Sequence, residues 1–263
     1  MAFQIGFTAE HSETKPVTSG RVPRKSVVQV WFSDSGRKLA YYNDRFDLKC
    51  GDLVYVEGQM AGVPGRIVEI SYSFKIKLSE YKQVIAVINT EVHGRFLISG
   101  FHLISLDPAV LSFEQVLSWF HAPAEDEEEY AIGTDDAPFP LEELRCMNVS
   151  AAIAERGRNY YLENRVRYLR LERGHGRAIV EGSEAYELEF KYQNGEISGL
   201  VCSCPCSCTC KHAVAAMLQL RETLEFLERQ PKSAHSDCFT AIDKGTLFTF
   251  AVNQRSTGSI TLD

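Results

Sequence analysis

Apolar and β-branched residues come in short runs along the first half of the chain. Val27–Phe32, Leu39–Tyr42, Leu53–Glu57, Arg66–Ile70, Phe74–Leu78, Val84–Ile88 and Arg95–Ile98 are each strand-length. Glycine and proline punctuate them at Gly51-Asp52, Gly58, Gly62, Pro64-Gly65 and Gly94. Seven short strands with close turns predict a small closed or partly closed β-barrel over residues 27–105. Ser112-Phe-Glu-Gln115 then reads as a capping box opening a helix through Phe120, with Phe113, Val116, Leu117 and Phe120 docking on the barrel. In the second half, Val166–Glu172, Arg177–Glu181 and Tyr186–Tyr192 read as strands. From Val214 the period changes. Val214, Met217, Leu218, Leu224 and Leu227 form the apolar stripe of a helix. Thr246–Asn253 and Ser259–Leu262 read as a closing hairpin about Ser256-Thr-Gly258, with Phe248 and Phe250 on one strand face.

The pattern predicts an α+β protein. Its parts are a small β-barrel-like domain with a terminal helix (1–121), an acidic linker (122–145), a metal-binding module (146–230) and a C-terminal β segment (231–263). The linker follows from charge. The chain has 28 basic and 35 acidic side chains, a net charge of −7. Residues 121–150 hold nine acidic side chains and one basic, which accounts for the whole excess. Glu125 to Glu129 are consecutive acids, with Pro123, Gly133, Pro138 and Pro140 around them, as in a solvated connection.

Between the third strand and the helix stands the chemistry, Cys202-Ser-Cys204-Pro-Cys206-Ser-Cys208-Thr-Cys210-Lys-His212. Five of the eight cysteines fall here. Residues two apart on an extended chain share a face, so Cys202 and Cys204 aim at one point. Pro205 turns the chain, and Cys210 and His212 sit at the mouth of the helix, where unpaired N–H groups favour a thiolate. Thiolates with an imidazole are the ligand set that Zn2+ selects. The Cys-x-Cys spacing is too tight for an easy local disulfide.

The stretch Ala154-Glu-Arg-Gly157, Tyr160–Val166, Val180-Glu-Gly-Ser-Glu-Ala-Tyr186, Cys-Ser-Cys-Pro and Cys-Lys-His212-Ala-Val-Ala-Ala resembles a SWIM-type zinc finger over residues 151–228. That family's signature is Cys-x-Cys, a variable loop, then Cys-x-His, held on one zinc in a ββα-like module. The resemblance implies Cys202, Cys204, Cys210 and His212 as ligands. Here the loop is only residues 205–209 and holds two further cysteines, so Cys206 and Cys208 stand as alternates or as ligands of a second soft ion. Residues 27–70, through Val27-Val-Gln-Val-Trp-Phe32, Leu48-Lys-Cys-Gly-Asp-Leu-Val-Tyr-Val56 and Gly65-Arg-Ile-Val68, are loosely similar to small barrels of the bacterial primosomal helicase and polymerase-suppressor proteins.

No catalytic signature accompanies the metal block. The chain has no phosphate loop and no Gly-x-Ser-x-Gly elbow, and His102 and His121 are isolated. The expectation is therefore a non-enzymatic protein without a small-molecule substrate. SWIM modules bind nucleic acid or protein, which leaves the partner open. Arg156, Arg158, Arg165, Arg167, Arg170, Arg173 and Arg177, interleaved with Tyr160, Tyr161 and Tyr168, are the candidates for phosphate contact and base stacking. Residues 151–230 are nonetheless neutral, with eleven charges of each sign, so Arg–Glu pairing and a protein–protein adaptor remain open. A thiol-based metal or redox sensor using Cys206 and Cys208 is the third reading. With no apolar run long enough to span a membrane and no signal pattern at Met1–Gly20, free thiols point to a cytoplasmic setting.

Overall fold

The computed structural model describes residues 3–6, 22–123, 137–206, 208–230, 237–253 and 258–263. The fold is mixed α+β and mostly sheet. Two compact units can be drawn around the described residues, one within Phe7–Glu91 and Leu117–Glu127, the other within Met1–Gly6, Val92–Val116 and Glu128–Asp263.

The first unit is a five-stranded antiparallel sheet. Its order is Arg37–Asn43, Ser26–Phe32, Gly65–Ser71, Leu53–Val56, Val84–Ile88. The first of the expected strands alternates in burial, with Val28, Val30 and Phe32 buried and Trp31 exposed. The two outer strands approach each other at one point, where Tyr42 bridges Gln83 and the Tyr42 N–H donates to the Lys82 carbonyl at 2.9 Å. Two expectations fail here. Phe74–Leu78 is not a strand; the chain is irregular there and makes a single 3-10 turn at Leu78–Glu80. Arg95–Ile98 is a strand, within Val92–Ser99, but it belongs to the other unit's sheet.

The second unit is built on a ten-stranded sheet. Its order is Phe3–Gly6, Gly258–Leu262, Val92–Ser99, His102–Ser105, Cys238–Asp243, Val166–Glu172, His175–Glu181, Ala185–Gln193, Glu196–Cys202, Phe139–Pro140. The strands from Val166 to Cys202 form a meander, as their turn-separated pattern suggests. Helices Ala151–Leu162 and Lys211–Glu228 pack on each other beside it. Ser150 caps the first of these, accepting from the Ile153 N–H at 3.3 Å.

The C-terminal segment departs most from expectation. Cys238–Asp243 is no appendage. All six residues are buried, and the strand lies between His102–Ser105 and Val166–Glu172. Thr246–Asn253 is helical rather than extended, as a short helix Lys244–Leu247 followed by a π turn Phe248–Val252. Asp243 explains the switch. Its carboxylate accepts the Thr246 N–H at 2.7 Å and the Thr246 hydroxyl at 2.9 Å, an N-cap that outweighs β-propensity. Gly258–Leu262 is a strand, parallel to Val92–Ser99.

Of the expected linker, residues 124–136 lie outside the described residues. Its later part is structured, because Phe139 and Leu141 are apolar and buried in the core of this unit. The Gln115 N–H does donate to Ser112 Oγ at 3.2 Å, and Phe113 packs on Tyr168 of its own unit with centroids 6.0 Å apart. Among the described residues, no helix is long and apolar enough to cross a membrane.

Candidate metal centre

The strand Glu196–Cys202 delivers Cys202 at its end, paired with Leu188 of the neighbouring strand. Pro205 follows, and the chain re-enters regular structure at Cys210, the N-cap of helix Lys211–Glu228. The strand, knuckle, loop and helix order read from the sequence is therefore present. It brings Cys202, Cys204, Cys210 and His212 together, with their four ligand atoms all within 4.8 Å of one another. This Cys3His group can hold a metal ion. Cys204, Cys210 and His212 are buried and Cys202 half-buried. Cys206 and Cys208 are exposed and outside the group.

His212 turns Nδ1 toward the sulfurs, 3.6 Å from Cys210 Sγ and 3.8 Å from Cys202 Sγ. Two tyrosines fix the ring. Tyr186 is 4.5 Å away between centroids at an interplanar angle of 30°, and Tyr160 is 5.5 Å away at 62°. Nε2 is buried without a hydrogen-bond partner among the described residues. It faces Gly182, where an added Cβ would come within 2.9 Å of Nε2 and 2.8 Å of the Tyr186 ring. Only glycine leaves the imidazole and Tyr186 their places.

The three thiols titrate as one group. The hydrogen bond from Cys202 lowers Cys210 to about 4, helped by His212 and the Ala213 N–H at the helix start. The same bond, together with burial, raises Cys202. Burial raises Cys204 to about 11. A cation among these sulfurs would favour all three thiolates.

The approach of the two helices positions the second half of the site. An added Cβ at Gly157 would meet Val214 Cβ at 2.4 Å, Val214 Cγ1 at 2.6 Å and the Lys211 carbonyl at 2.9 Å. The helix carrying Tyr160 therefore lies tight against the first turn of the helix that carries His212. Lys211 Nζ sits 4.4 Å over the Tyr160 ring.

The seven candidate arginines are mostly engaged. Arg165 pairs with Glu163 at 2.7 Å. Arg167 reaches Glu181 at 2.7 Å through Nε and Asp243 at 3.2 Å. Arg170 is buried, bonded to Glu172 at 2.8 Å, Thr240 at 2.9 Å and the Pro108 carbonyl at 2.7 Å. Arg173 lies 3.9 Å from Asp237, and Arg177 contacts Glu114 at 3.0 Å and Glu189 at 3.1 Å. Arg156 and Arg158 remain exposed on helix Ala151–Leu162. The tyrosines are engaged too. Tyr168 is buried and donates to the Leu111 carbonyl at 2.7 Å, and Tyr160 lies against His212. His102 is a core residue whose Nε2 lies 2.7 Å from the Val166 carbonyl.

Sequence reasoning missed Gly182 and Tyr186 as parts of the site and assigned Tyr160 elsewhere. Their only signal was their place in the stretch leading to the cysteines. No protein-family model, curated protein or solved structure matches the chain.

Proposed function

We propose that the Cys3His cluster binds one zinc ion, that this ion folds a SWIM-like interaction module, and that the protein is a non-enzymatic binding protein. The spacing of the ligand atoms carries the reading. Zinc bonds of about 2.3 Å to sulfur and 2.0 Å to nitrogen, set tetrahedrally, place sulfur and nitrogen roughly 3.5 Å apart. His212 Nδ1 lies 3.6 Å and 3.8 Å from two of the sulfurs. Four protein ligands leave no open position for water, which fits a structural ion rather than a catalytic one. Binding free energy at such a site is folding free energy, on the order of 10 kcal/mol or more. Eight free cysteines suit a reducing, cytoplasmic compartment.

For this module the arginine–carboxylate pairs favour a protein partner over a phosphate backbone. Arginines bound to carboxylates must exchange one anion for another to reach phosphate, with little net gain. A sensor reading draws on the exposure of Cys206 and Cys208. It requires that mild oxidation release the ion and that Cys206→Ser with Cys208→Ser abolish the release.

Elemental mass spectrometry of the purified chain tests the main reading. The expected result is one zinc per chain. Cys202→Ser, Cys204→Ser, Cys210→Ser or His212→Ala should lose it, and Cys206→Ser should keep it. Two or more soft ions, or iron or copper, would overturn the assignment.

A further inference from the structure

One end of the five-stranded sheet differs in charge and composition from the rest of the chain. Val27 is paired with Tyr42 on one side and Ser71 on the other. The chain that enters the sheet at Ser26 and the chain that leaves it after Ser71 therefore meet at the same end. Tyr72 and Phe74 follow Ser71 and are 41% and 36% exposed. The Arg24 guanidinium lies 4.1 Å over the Tyr72 ring. Phe74 meets Tyr42 edge-on, with centroids 6.1 Å apart. Tyr42 in turn bonds the Lys82 carbonyl, which brings Lys82 to the same end.

The charge here runs against the chain. Residues 24–25 and 71–83 hold five basic side chains and one acidic, Glu80, which lies 3.1 Å from Lys77. Asp44, Arg45 and Asp47 follow Asn43, the partner of Ser26, at the same end, and the Glu57 carboxylate accepts the Gln83 N–H at 3.1 Å. Lys75 and Lys82 are exposed and have no carboxylate partner among the described residues. The segment adds little to the core, since Tyr72, Phe74 and Leu78 all stay exposed. Each ring has one packing partner, Arg24 or Tyr42, and leaves part of its face to solvent.

Exposed rings among unpaired cations match one kind of ligand. Cations follow a phosphate backbone and aromatic faces stack on unpaired bases of any identity. Bases inside a duplex are already stacked and cannot reach the rings. An acidic polypeptide would use the lysines and leave the rings idle. We propose that this end of the sheet binds single-stranded nucleic acid without sequence preference, through Arg24, Tyr72, Phe74, Lys75 and Lys82. None of these residues belongs to the metal centre.

The test is fluorescence anisotropy with the full chain and a labelled 15-nucleotide oligothymidine at 50 and 200 mM salt. The single strand should bind more tightly than a duplex of equal length and should resist polyglutamate competition. Tyr72→Ala and Phe74→Ala should each weaken binding by roughly fivefold to a hundredfold, with the salt slope unchanged. Lys75→Ala with Lys82→Ala should lower that slope by about 1.4, at about 0.7 per phosphate contact. Tyr72→Phe and Phe74→Tyr keep the rings and should bind as the unmodified chain does. Absence of binding at 50 mM salt would overturn the proposal. So would indifference to loss of both rings, preference for duplex or polyglutamate, or loss of binding when the metal ligand Cys202 alone is replaced by serine.

Discussion

Gly157→Ala puts two opposing effects on one atom. Within a helix, alanine is favoured over glycine by about 1 kcal/mol, so an isolated helix Ala151–Leu162 would gain from the change. The tertiary structure reverses the sign. The new methyl would lie 2.4 Å and 2.6 Å from Val214 side-chain atoms and 2.9 Å from the Lys211 carbonyl, where carbon atoms prefer about 3.5–4.0 Å. Val214 is β-branched and held to one rotamer in its helix, and a carbonyl cannot step aside. The helices must part by on the order of 1 Å, and overpacking of this kind costs about 1–3 kcal/mol. The expected net effect is a destabilisation of about 1–2 kcal/mol, since the clash is with rigid atoms. Urea unfolding followed by far-UV circular dichroism at saturating metal measures it. Because the strain falls on the turn between Cys210 and Val214, metal affinity measured against a chromophoric chelator should fall by about tenfold, as for other supports of metal ligands. Val214→Ala, which removes the opposing methyls, should recover part of the loss in the Gly157→Ala background. A Gly157→Ala chain that is more stable, or a double variant that shows no recovery, would refute the close approach.

Further predictions follow from the same coordinates. Both tryptophans, Trp31 and Trp119, lie in the unit of the five-stranded sheet, whereas helix Lys211–Glu228 lies in the other. Chelation should therefore reduce helical dichroism and leave tryptophan emission in place; simultaneous loss of both signals would show that the two units unfold together. Gly182→Ala should lower metal affinity without changing the ligand set, because it displaces His212 and Tyr186, and isothermal titration would show an unchanged stoichiometry with weaker binding. Burial raises Tyr55 and Tyr161 to about 12. A phenol whose folded value exceeds its unfolded value of about 10 stabilises fully below pH 10 and loses that contribution as pH rises toward 12. Absorbance at 295 nm should leave these two un-ionised until the pH approaches 12, and their ionisation near 10 in the folded protein would contradict the shifts. Acid should release the metal, since His212 and the thiols must shed protons to bind it; release that does not depend on pH would argue against thiolate and imidazole ligands.

The metal cluster was legible because its logic is local. Cys202 ends a strand and Cys204 follows in the bend, Cys210 and His212 share a helix start, and the short loop between them closes the distance. The meander and the stripe Val214 to Leu227 were legible for the same reason: period two and period 3.6 are properties of neighbouring residues. Thr246–Asn253 was misread because β-branched and aromatic residues suggest a strand, and nothing nearby announces that Asp243 would cap a helix there. Arg–Glu pairing was open from the sequence as one reading of the arginines, but a count of charges does not show which carboxylate each one meets.

Other features arise only when distant segments meet. Cys238–Asp243 lies beside Val166–Glu172 and His102–Ser105, partners about 70 and 140 residues away by number. No periodicity within six residues encodes a choice of partner. Val92–Ser105 has the same strand pattern as the segments before it, yet it joins the other sheet. The need for glycine at 157 and 182 is likewise invisible along the chain, since it reflects Val214 and His212 arriving from elsewhere. By itself, then, the sequence determined the ligand chemistry, the periods of the main elements and the excess of acid between them. The tertiary structure alone decided strand order, the pairing of the arginines and the close contacts that hold the imidazole, because each depends on which surfaces come to share a volume.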